Sequence, residues 1–242
     1  MGYNRQRYGY GQPRYGYSGQ DLKAIAYRHL TIAMTIAAFV ILAINVIFYN
    51  DYQNTTLVAL YIIGSVVEVG ILVVLLFAGL FRKQFSESTA TLILNVFAVA
   101  SALSLAYLMV FYQSVLANGL FIVTLTFGIS AVVVFGMYAY TSINKPDTSG
   151  LQRIMFVVVI AFLVVSLLGF FIFSNSPLFY LIISGVGALI FAIYMYIDFA
   201  RLERREFSSP AMMALMLFID IIYFIEYLLQ FLAMFMGQSN RR

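Results

Sequence analysis

Cysteine is absent from the 242-residue chain, and histidine and lysine are scarce. Without cysteine there is no disulfide, no thiolate metal site and no cysteine nucleophile. The single histidine, His29, cannot ligate a haem on both faces or build a histidine metal cluster, which argues against a b-type cytochrome. The three lysines, Lys23, Lys83 and Lys145, lie outside the apolar segments described below, so a retinal Schiff base has no anchor inside the membrane.

Charged residues are also few. They make up 10% of the chain, against 63% hydrophobic residues, and the mean hydropathy is +0.94. Soluble domains usually contain roughly 25% charged residues, so this composition indicates an integral membrane protein. A bilayer core about 30 Å thick needs about 20 apolar residues in a helix. Seven segments have that length, near 28–49, 57–81, 90–111, 117–140, 154–173, 178–200 and 210–236. None alternates with period two, which favours an all-α bundle of seven transmembrane helices over a β-barrel.

Basic residues alternate between the connecting segments. They occur in the amino-terminal region and in the second, fourth and sixth loops, whereas the first, third and fifth loops have none. These residues are Arg5, Arg7, Arg14, Lys23, Arg28, Arg82, Lys83, Lys145, Arg153, Arg201, Arg204 and Arg205. Because cytoplasmic loops carry the excess of lysine and arginine, we expect a cytoplasmic amino terminus and, after seven crossings, a carboxyl terminus outside. The membrane is expected to be the plasma membrane in a prokaryote and an intracellular membrane in a eukaryote.

Polar segments flank the apolar region. Residues 1–21 are rich in tyrosine, glycine and arginine and predict a disordered cytoplasmic tail, because Gly-rich polar sequence cannot bury enough surface to fold. Residues 22–236 form the predicted seven-helix transmembrane domain, and residues 237–242 a short polar carboxyl-terminal tail. The lipid bilayer is the expected partner of this chain, and no nucleic acid is expected.

Four carboxylates lie within the apolar segments or at their ends: Glu68, Asp198, Asp220 and Glu226. A charge at the centre of a membrane helix costs about 2.5–3.5 kcal/mol, so we expect these side chains to face the bundle interior, to be paired or to be protonated. At about 1.5 Å of rise per residue, Glu68 and Asp220 should both lie near the midplane. Glu226 lies about 9 Å further along its helix and about 240° around it, so it is expected to serve an outer vestibule or a separate pairing and is assigned no role.

The ends of the sixth and seventh helices bring two of these acids together. The sequence YMYIDFARLERREF contains no helix breaker, so the sixth helix is expected to continue to about Arg205. A serine cap, Ser208 or Ser209, followed by proline at the first helical position marks the start of the seventh helix. The resulting short hairpin predicts that Asp198 lies close to Asp220.

Two carboxylates in contact cannot both stay ionised cheaply, so they tend to share a proton and to respond to pH. Asp198 and Asp220 are therefore predicted to form a pH-sensing pair. Arg82 is a candidate counter-ion that locks or releases this pair. The alternative left open by the residues is that Asp198 pairs with Arg201 or Arg205 at an interface.

Several segments together resemble the Bax inhibitor-1-like family, the transmembrane Bax inhibitor motif proteins. They are EVGILVVLLF, AVASALSLAYLMVF, TFGISAVVVFGMYAYTS, YMYIDFARL and ALMLFIDIIYFIEYLLQFL, and the resemblance runs from about residue 22 to residue 236. It implies a calcium-leak fold in which helix 7 is central and is wrapped by helices 1–6. The paired aspartates of the family fall on Asp198 and Asp220, and its helix 2 glutamate falls on Glu68. Tyr223 stands where many members have asparagine, and Glu226 stands where an apolar residue is common.

The function implied by this resemblance is a pH-sensitive calcium leak gated by the proton-sharing Asp198–Asp220 pair. Glu68 and Asp220 are expected to line the ion pathway, and Asp198 and Asp220 to bind calcium weakly and transiently, because a tight calcium site needs more oxygen ligands than two acids supply. Arg82 is the possible latch. No enzymatic activity and no resident cofactor are expected, since calcium is the transported species and protons are the regulators.

Three other functions are compatible with intramembrane acids. A non-conducting membrane protein of stress signalling would use them only for packing, and a proton-coupled cation carrier would use them as a proton relay. An intramembrane aspartyl protease would also need two aspartates on adjacent helices. The FIDI sequence around Asp220 lacks the small residues that let a substrate backbone approach, so the protease is the least favoured of the three.

Overall fold

The computed structural model describes residues 19–80, 85–173, 176–207 and 209–239, and these residues form seven helices. The helices are α1 (Gly19–Ile47), α2 (Thr55–Leu80), α3 (Glu87–Val115), α4 (Gly119–Asn144), α5 (Ser149–Ile172), α6 (Pro177–Arg204) and α7 (Pro210–Ser239). Each helix is long and apolar enough to cross a bilayer. The predicted all-α fold with seven transmembrane helices is therefore confirmed.

The first helix begins before, and the last helix ends after, the segments expected from hydropathy, 28–49 and 210–236. α1 begins at Gly19 and α7 continues to Ser239, so each includes three residues that the sequence assigned to a tail. Residues 1–18 and 240–242, which make up the rest of the two predicted tails, lie outside the described residues.

Serine side chains define the start of three helices. Ser86 accepts a hydrogen bond from the backbone of α3, and Ser176, followed by proline, does the same for α6. Ser209 accepts from the Met212 amide at 3.1 Å, which confirms the serine cap and the proline start predicted for α7. These caps satisfy amide groups that have no partner within the helix.

α7 and α3 form the centre of the bundle. In the most apolar part of α7 67% of the residues are buried, and in α3 61%, whereas the other five helices are 11–28% buried. α1, α3, α4 and α6 pack directly against α7. Small buried residues on α3, among them Ala98, Ala102 and Ala106, allow its neighbours to approach closely. The central position of helix 7 is thus observed, and α3 shares it.

α2 and α5 lie at the outside of the bundle. The backbone of α2 packs on α3, and the backbone of α5 packs on α6. Gly64 lets α2 approach α3, because a Cβ at this position would lie 2.7 Å from the Ala100 carbonyl oxygen. Individual side chains still reach the centre: Phe162 of α5 meets the Tyr227 ring edge to face, and Glu68 of α2 faces α7. This close approach fixes the depth at which Glu68 enters the bundle.

Candidate functional site

The turn between α6 and α7 positions Asp198 and Asp220. α6 ends at Arg204, and Arg205 adopts a left-handed backbone conformation with φ 60°, which reverses the chain within a few residues. Because the two helices run antiparallel from this turn, Asp198 and Asp220 lie near enough across their interface to interact electrostatically. Both side chains are buried. The juxtaposition agrees with the hairpin geometry expected from the sequence.

Arg201 is the direct partner of Asp198. Its guanidinium Nη1 lies 3.1 Å from Asp198 Oδ1, one helical turn away on α6. Asp220 interacts electrostatically with both Asp198 and Arg201. Among the described residues no hydrogen bond joins the two carboxyl groups, and Asp220 Oδ2 is buried without a partner. The expected pair is therefore a cluster of three groups in which Asp198 holds an ion pair, and Asp220 keeps one unpaired oxygen.

The sequence left two arginines, Arg201 and Arg205, as alternative partners of Asp198. The structure shows Arg201 in that position, whereas Arg205 is exposed at the turn. Arg82, the predicted latch, lies outside the described residues. Among the described residues, the counter-ion at the Asp198–Asp220 cluster is Arg201, on α6 itself. The reason is the i, i+3 spacing, which places the two side chains on the same face of α6.

Glu68 lies on the buried face of α2. Its Oε2 accepts a hydrogen bond of 3.0 Å from the Ser104 hydroxyl of α3, and Ser104 also lies 3.3 Å from the Ser65 hydroxyl. The charged and polar groups of α7 that interact with Glu68 are Tyr223, Glu226 and Tyr227. Glu68 therefore meets α7 about one to two turns beyond Asp220, not level with it as the simple count of residues suggested. The predicted bounds of α2 differ from the observed ones by at most two residues, so the difference lies in how α2 is placed along the bundle.

Glu226 is the functional candidate that the sequence reasoning left unassigned. It is buried, comes from the central helix and interacts with Glu68. The rotation of about 240° from Asp220 was estimated from helical geometry, and in the structure it turns Glu226 towards α2. A signal was available in the sequence: Asp220, Tyr223 and Glu226 recur at intervals of three, which places them on a polar stripe that winds around α7 by about 60° at each step and so turns Glu226 to a different face from Asp220.

A further acidic residue, Glu203, ties three helices together near the α6–α7 turn. Its carboxylate forms an ion pair with Lys23 of α1 and accepts hydrogen bonds of 3.1 Å from the hydroxyls of Tyr27 and Ser142. Its partners satisfy the buried charge, so the cluster stabilises the packing of α1, α4 and α6.

The first turn of α7 is anchored to α3 through Glu87. Its Oε1 accepts a hydrogen bond of 2.9 Å from the Ala211 amide, and its Oε2 accepts one of 2.5 Å from the Ser209 hydroxyl. His29 Nε2 lies 3.6 Å from Glu87 Oε1. A carboxylate at a helix amino terminus satisfies free amides and interacts favourably with the helix dipole. The start of α7 is thus fixed, while the acids further along the helix are only partly satisfied.

The chemical capacity of the site follows from these contacts. Within the described part of the chain no three His, Cys, Asp or Glu side chains group closely enough to hold a metal ion. Calcium takes six to eight oxygen ligands, so pairs of carboxylates with a few hydroxyls form a weak site. Buried carboxylates with unpaired oxygens are unstable unless they are protonated or meet a cation. The arrangement suits proton exchange and transient cation contact rather than tight metal storage.

Comparison with known proteins gives one family and several bacterial relatives. The family described as "Inhibitor of apoptosis-promoting Bax1" matches residues 24–237. An uncharacterized protein of Campylobacter jejuni is 27% identical over 204 residues, which cover 84% of this chain and 83% of the relative. An uncharacterized protein of Helicobacter pylori strain 26695 is 26% identical, with 67% and 70% covered. An uncharacterized membrane protein of Vibrio cholerae is 27% identical, with 50% and 53% covered.

Proposed function

This chain belongs to the family of the inhibitor of apoptosis-promoting Bax1, and on that premise we propose that it is a calcium-leak channel whose opening depends on pH. The observation that carries the proposal is the buried cluster of Asp198, Arg201 and Asp220, in which one carboxylate is ion-paired and the other retains an unpaired oxygen. Such a cluster has more than one arrangement of protons and contacts, which is the property that a gate requires.

The gate operates through competition for Arg201. With Asp198 ionised, Arg201 stays within hydrogen-bonding distance of it, in an ion pair within α6. When a proton neutralises Asp198, the attraction to Arg201 falls and the guanidinium becomes available to Asp220 across the helix interface. The changed pairing replaces a contact within α6 by one between α6 and α7, which alters the packing of the two helices at this end of the bundle. With the amino terminus in the cytoplasm, this end faces the cytoplasm.

The path for the ion runs along the polar stripe of α7. Asp220 begins this stripe, and Glu68 faces it from α2. α2 lies at the outside of the bundle and packs mainly on α3, so α2 can shift while the contact between α3 and α7 is kept. A few carboxylates in series favour passage over storage, because conduction requires each site to bind and to release the ion. Arg82 keeps its predicted role as a latch on the movement of α2.

Calcium flux into liposomes as a function of pH tests the proposal. Wild-type protein is expected to leak calcium with a marked pH dependence, and Asp198→Asn and Asp220→Asn are each expected to flatten it. Glu206→Gln is the matched control, because Glu206 is an exposed acid in the α6–α7 turn and should leave the profile unchanged. If both aspartate variants leaked calcium with the pH dependence of the wild-type protein, the cluster would not be the gate.

The same assay separates the alternatives. Flux no higher than that of empty liposomes at every pH would indicate a non-conducting interaction protein. A second candidate function, the proton-coupled cation carrier, is favoured by the unpaired carboxyl oxygens at two levels of α7. A carrier would show calcium movement driven by an imposed proton gradient and competition from sodium, whereas a leak follows the calcium gradient alone. A protease is disfavoured because the Arg201 ion pair prevents Asp198 and Asp220 from holding a water symmetrically.

A further inference from the structure

A second acidic pair lies further along α7 than the Asp198–Asp220 cluster. It consists of Glu68 from α2 and Glu226 from α7. Both residues are buried, with 5% of the surface of Glu68 and 8% of that of Glu226 exposed. The two carboxylates interact electrostatically, and α2 side chains such as Ile71, Leu72 and Leu75 pack against the core that includes α7. Six residues of α7 separate Glu226 from Asp220, a distance of about 9 Å along the helix.

Hydroxyl groups and aromatic rings surround this pair. Ser104 donates to Glu68 Oε2, and the hydroxyls of Tyr223 and Tyr227 lie close enough to interact with both carboxylates. Phe191 of α6 stacks on both tyrosine rings, with centroids 5.0 Å and 5.6 Å away. The stacked rings keep the tyrosines in place and shield the pair from lipid.

The second and independent observation is that both glutamates have an oxygen to spare. Glu68 Oε1 and Glu226 Oε1 are buried and have no hydrogen-bond partner. Within the described residues, neither glutamate forms an ion pair with a lysine, arginine or histidine. This distinguishes the pair from Glu203 and Asp198, whose charges are met by Lys23 and Arg201. An unpaired buried carboxylate is costly, and a cation between two such oxygens would satisfy both.

We propose that Glu68 and Glu226 form a second cation-binding site, separate from the Asp198–Asp220 cluster, which takes a divalent cation with a preference for oxygen ligands, such as calcium. Its ligands are one oxygen from each glutamate, together with the neighbouring hydroxyls. The role of this site as a second station for the ion rests on the proposed function. The binding itself does not, and it can be measured without any transport.

Terbium luminescence provides the test, because terbium replaces calcium at oxygen sites and emits when a nearby tyrosine is excited. The chain has no tryptophan, so tyrosine is the only sensitiser, and Tyr223 and Tyr227 adjoin the proposed site. Tyr194 faces the aspartate cluster. The purified full chain is therefore studied in the Asp198→Asn/Asp220→Asn background, where emission through Tyr194 is removed.

In that background we expect sensitised terbium emission that calcium abolishes by competition. Glu226→Gln and, independently, Glu68→Gln should each lose this emission, while Glu206→Gln, the exposed control, should retain it. Unchanged emission in both glutamate variants would overturn the inference, as would the absence of calcium-sensitive emission from the background protein. Circular dichroism confirms that each variant is folded, and Glu226→Gln in the otherwise wild-type chain, which should lose part of the emission, gives a second measurement.

The two proposals fail separately. Loss of emission in Glu226→Gln without any calcium flux in liposomes would leave a cation site in a protein that does not conduct. Conversely, the wild-type protein could leak calcium in a pH-dependent way while Glu226→Gln leaves the terbium emission unchanged. That result would support the channel and exclude the second cation site.

Discussion

Replacing Arg201 by methionine tests the ion pair at the centre of the proposed gate. Methionine keeps much of the volume of the side chain but removes the charge beside Asp198. At the observed 3.1 Å separation and an effective dielectric of about 20, the attraction is about 5 kcal/mol before the cost of desolvation. Removal of one partner of a buried pair typically costs about 3–5 kcal/mol. Since 21% of the Arg201 side chain is exposed, we expect a value near the lower end, about 3 kcal/mol.

The double variant Asp198→Asn/Arg201→Met isolates the interaction. Once both charges are gone, no carboxylate remains unpaired at this position. The double variant should therefore lose about 3 kcal/mol, close to either single variant, rather than the sum of about 6 kcal/mol. The cost of Arg201→Met alone should also shrink at acid pH, because protonation removes the charge that Arg201 balances.

Unfolding by SDS in mixed micelles, followed by far-ultraviolet circular dichroism, measures these free energies. Additive losses within about 0.5 kcal/mol would refute the reasoning, because independent sites behave in that way. A conserved pH dependence of calcium flux in Arg201→Met would further separate the ion pair from gating, even if the pair stabilises the fold.

Three other predictions concern the scaffold. Glu87→Gln weakens two hydrogen bonds at the start of α7 and should lower the unfolding free energy by about 1–2 kcal/mol; an unchanged value in the SDS titration would contradict the anchor. Gly64→Ala should lower the unfolding free energy by about 1–3 kcal/mol, because the new Cβ pushes α2 away from α3. Gly70→Ala, with nothing within 4 Å of the new Cβ, should leave it unchanged or raise it. Equal effects of the two variants would contradict the close approach at Gly64. Hydrogen bonds from Ser149 hold the pKa of Asp147 below its ordinary value, so the stability that they add is present at neutral pH and is lost as the pH falls through the lowered pKa. The difference in melting temperature between Asp147→Asn and wild type should accordingly vanish in acid, and a difference independent of pH would exclude this origin.

The fold and the Asp198–Asp220 contact were predictable because they depend on short-range information. Hydropathy located each membrane helix, and the absence of a breaker after Asp198 together with the serine and proline before Asp220 fixed the hairpin. Arg201 was foreseeable as a partner from its spacing of three on the same helix. The sequence alone could not decide whether Asp198 bonds to Arg201 or to Asp220. In the structure Asp198 forms its ion pair with Arg201.

The Glu68–Glu226 contact was not predictable in the same way. It joins helices far apart in the chain, and its register depends on how closely α2 approaches α3. Gly64 and Ala100 set that approach through backbone contact, which the periodicity of either helix does not reveal. The ends of α2 were predicted to within two residues, so the level of Glu68 depends on how α2 is placed along the bundle. Interhelical depth is therefore the part of the site that requires coordinates.

The central position of α7 has a consequence for biogenesis. α7 follows the other six helices in chain order, yet it is the most buried of them. Two carboxylates on a lone helix would add about 5–7 kcal/mol to its insertion into lipid. The residues that receive this helix, Glu87 at its first turn, Arg201 beside Asp220 and Glu68 beside Glu226, are all translated earlier. The six earlier helices therefore carry all of these partner groups before α7 is made, and the acids of α7 meet their partners only when α7 packs among them.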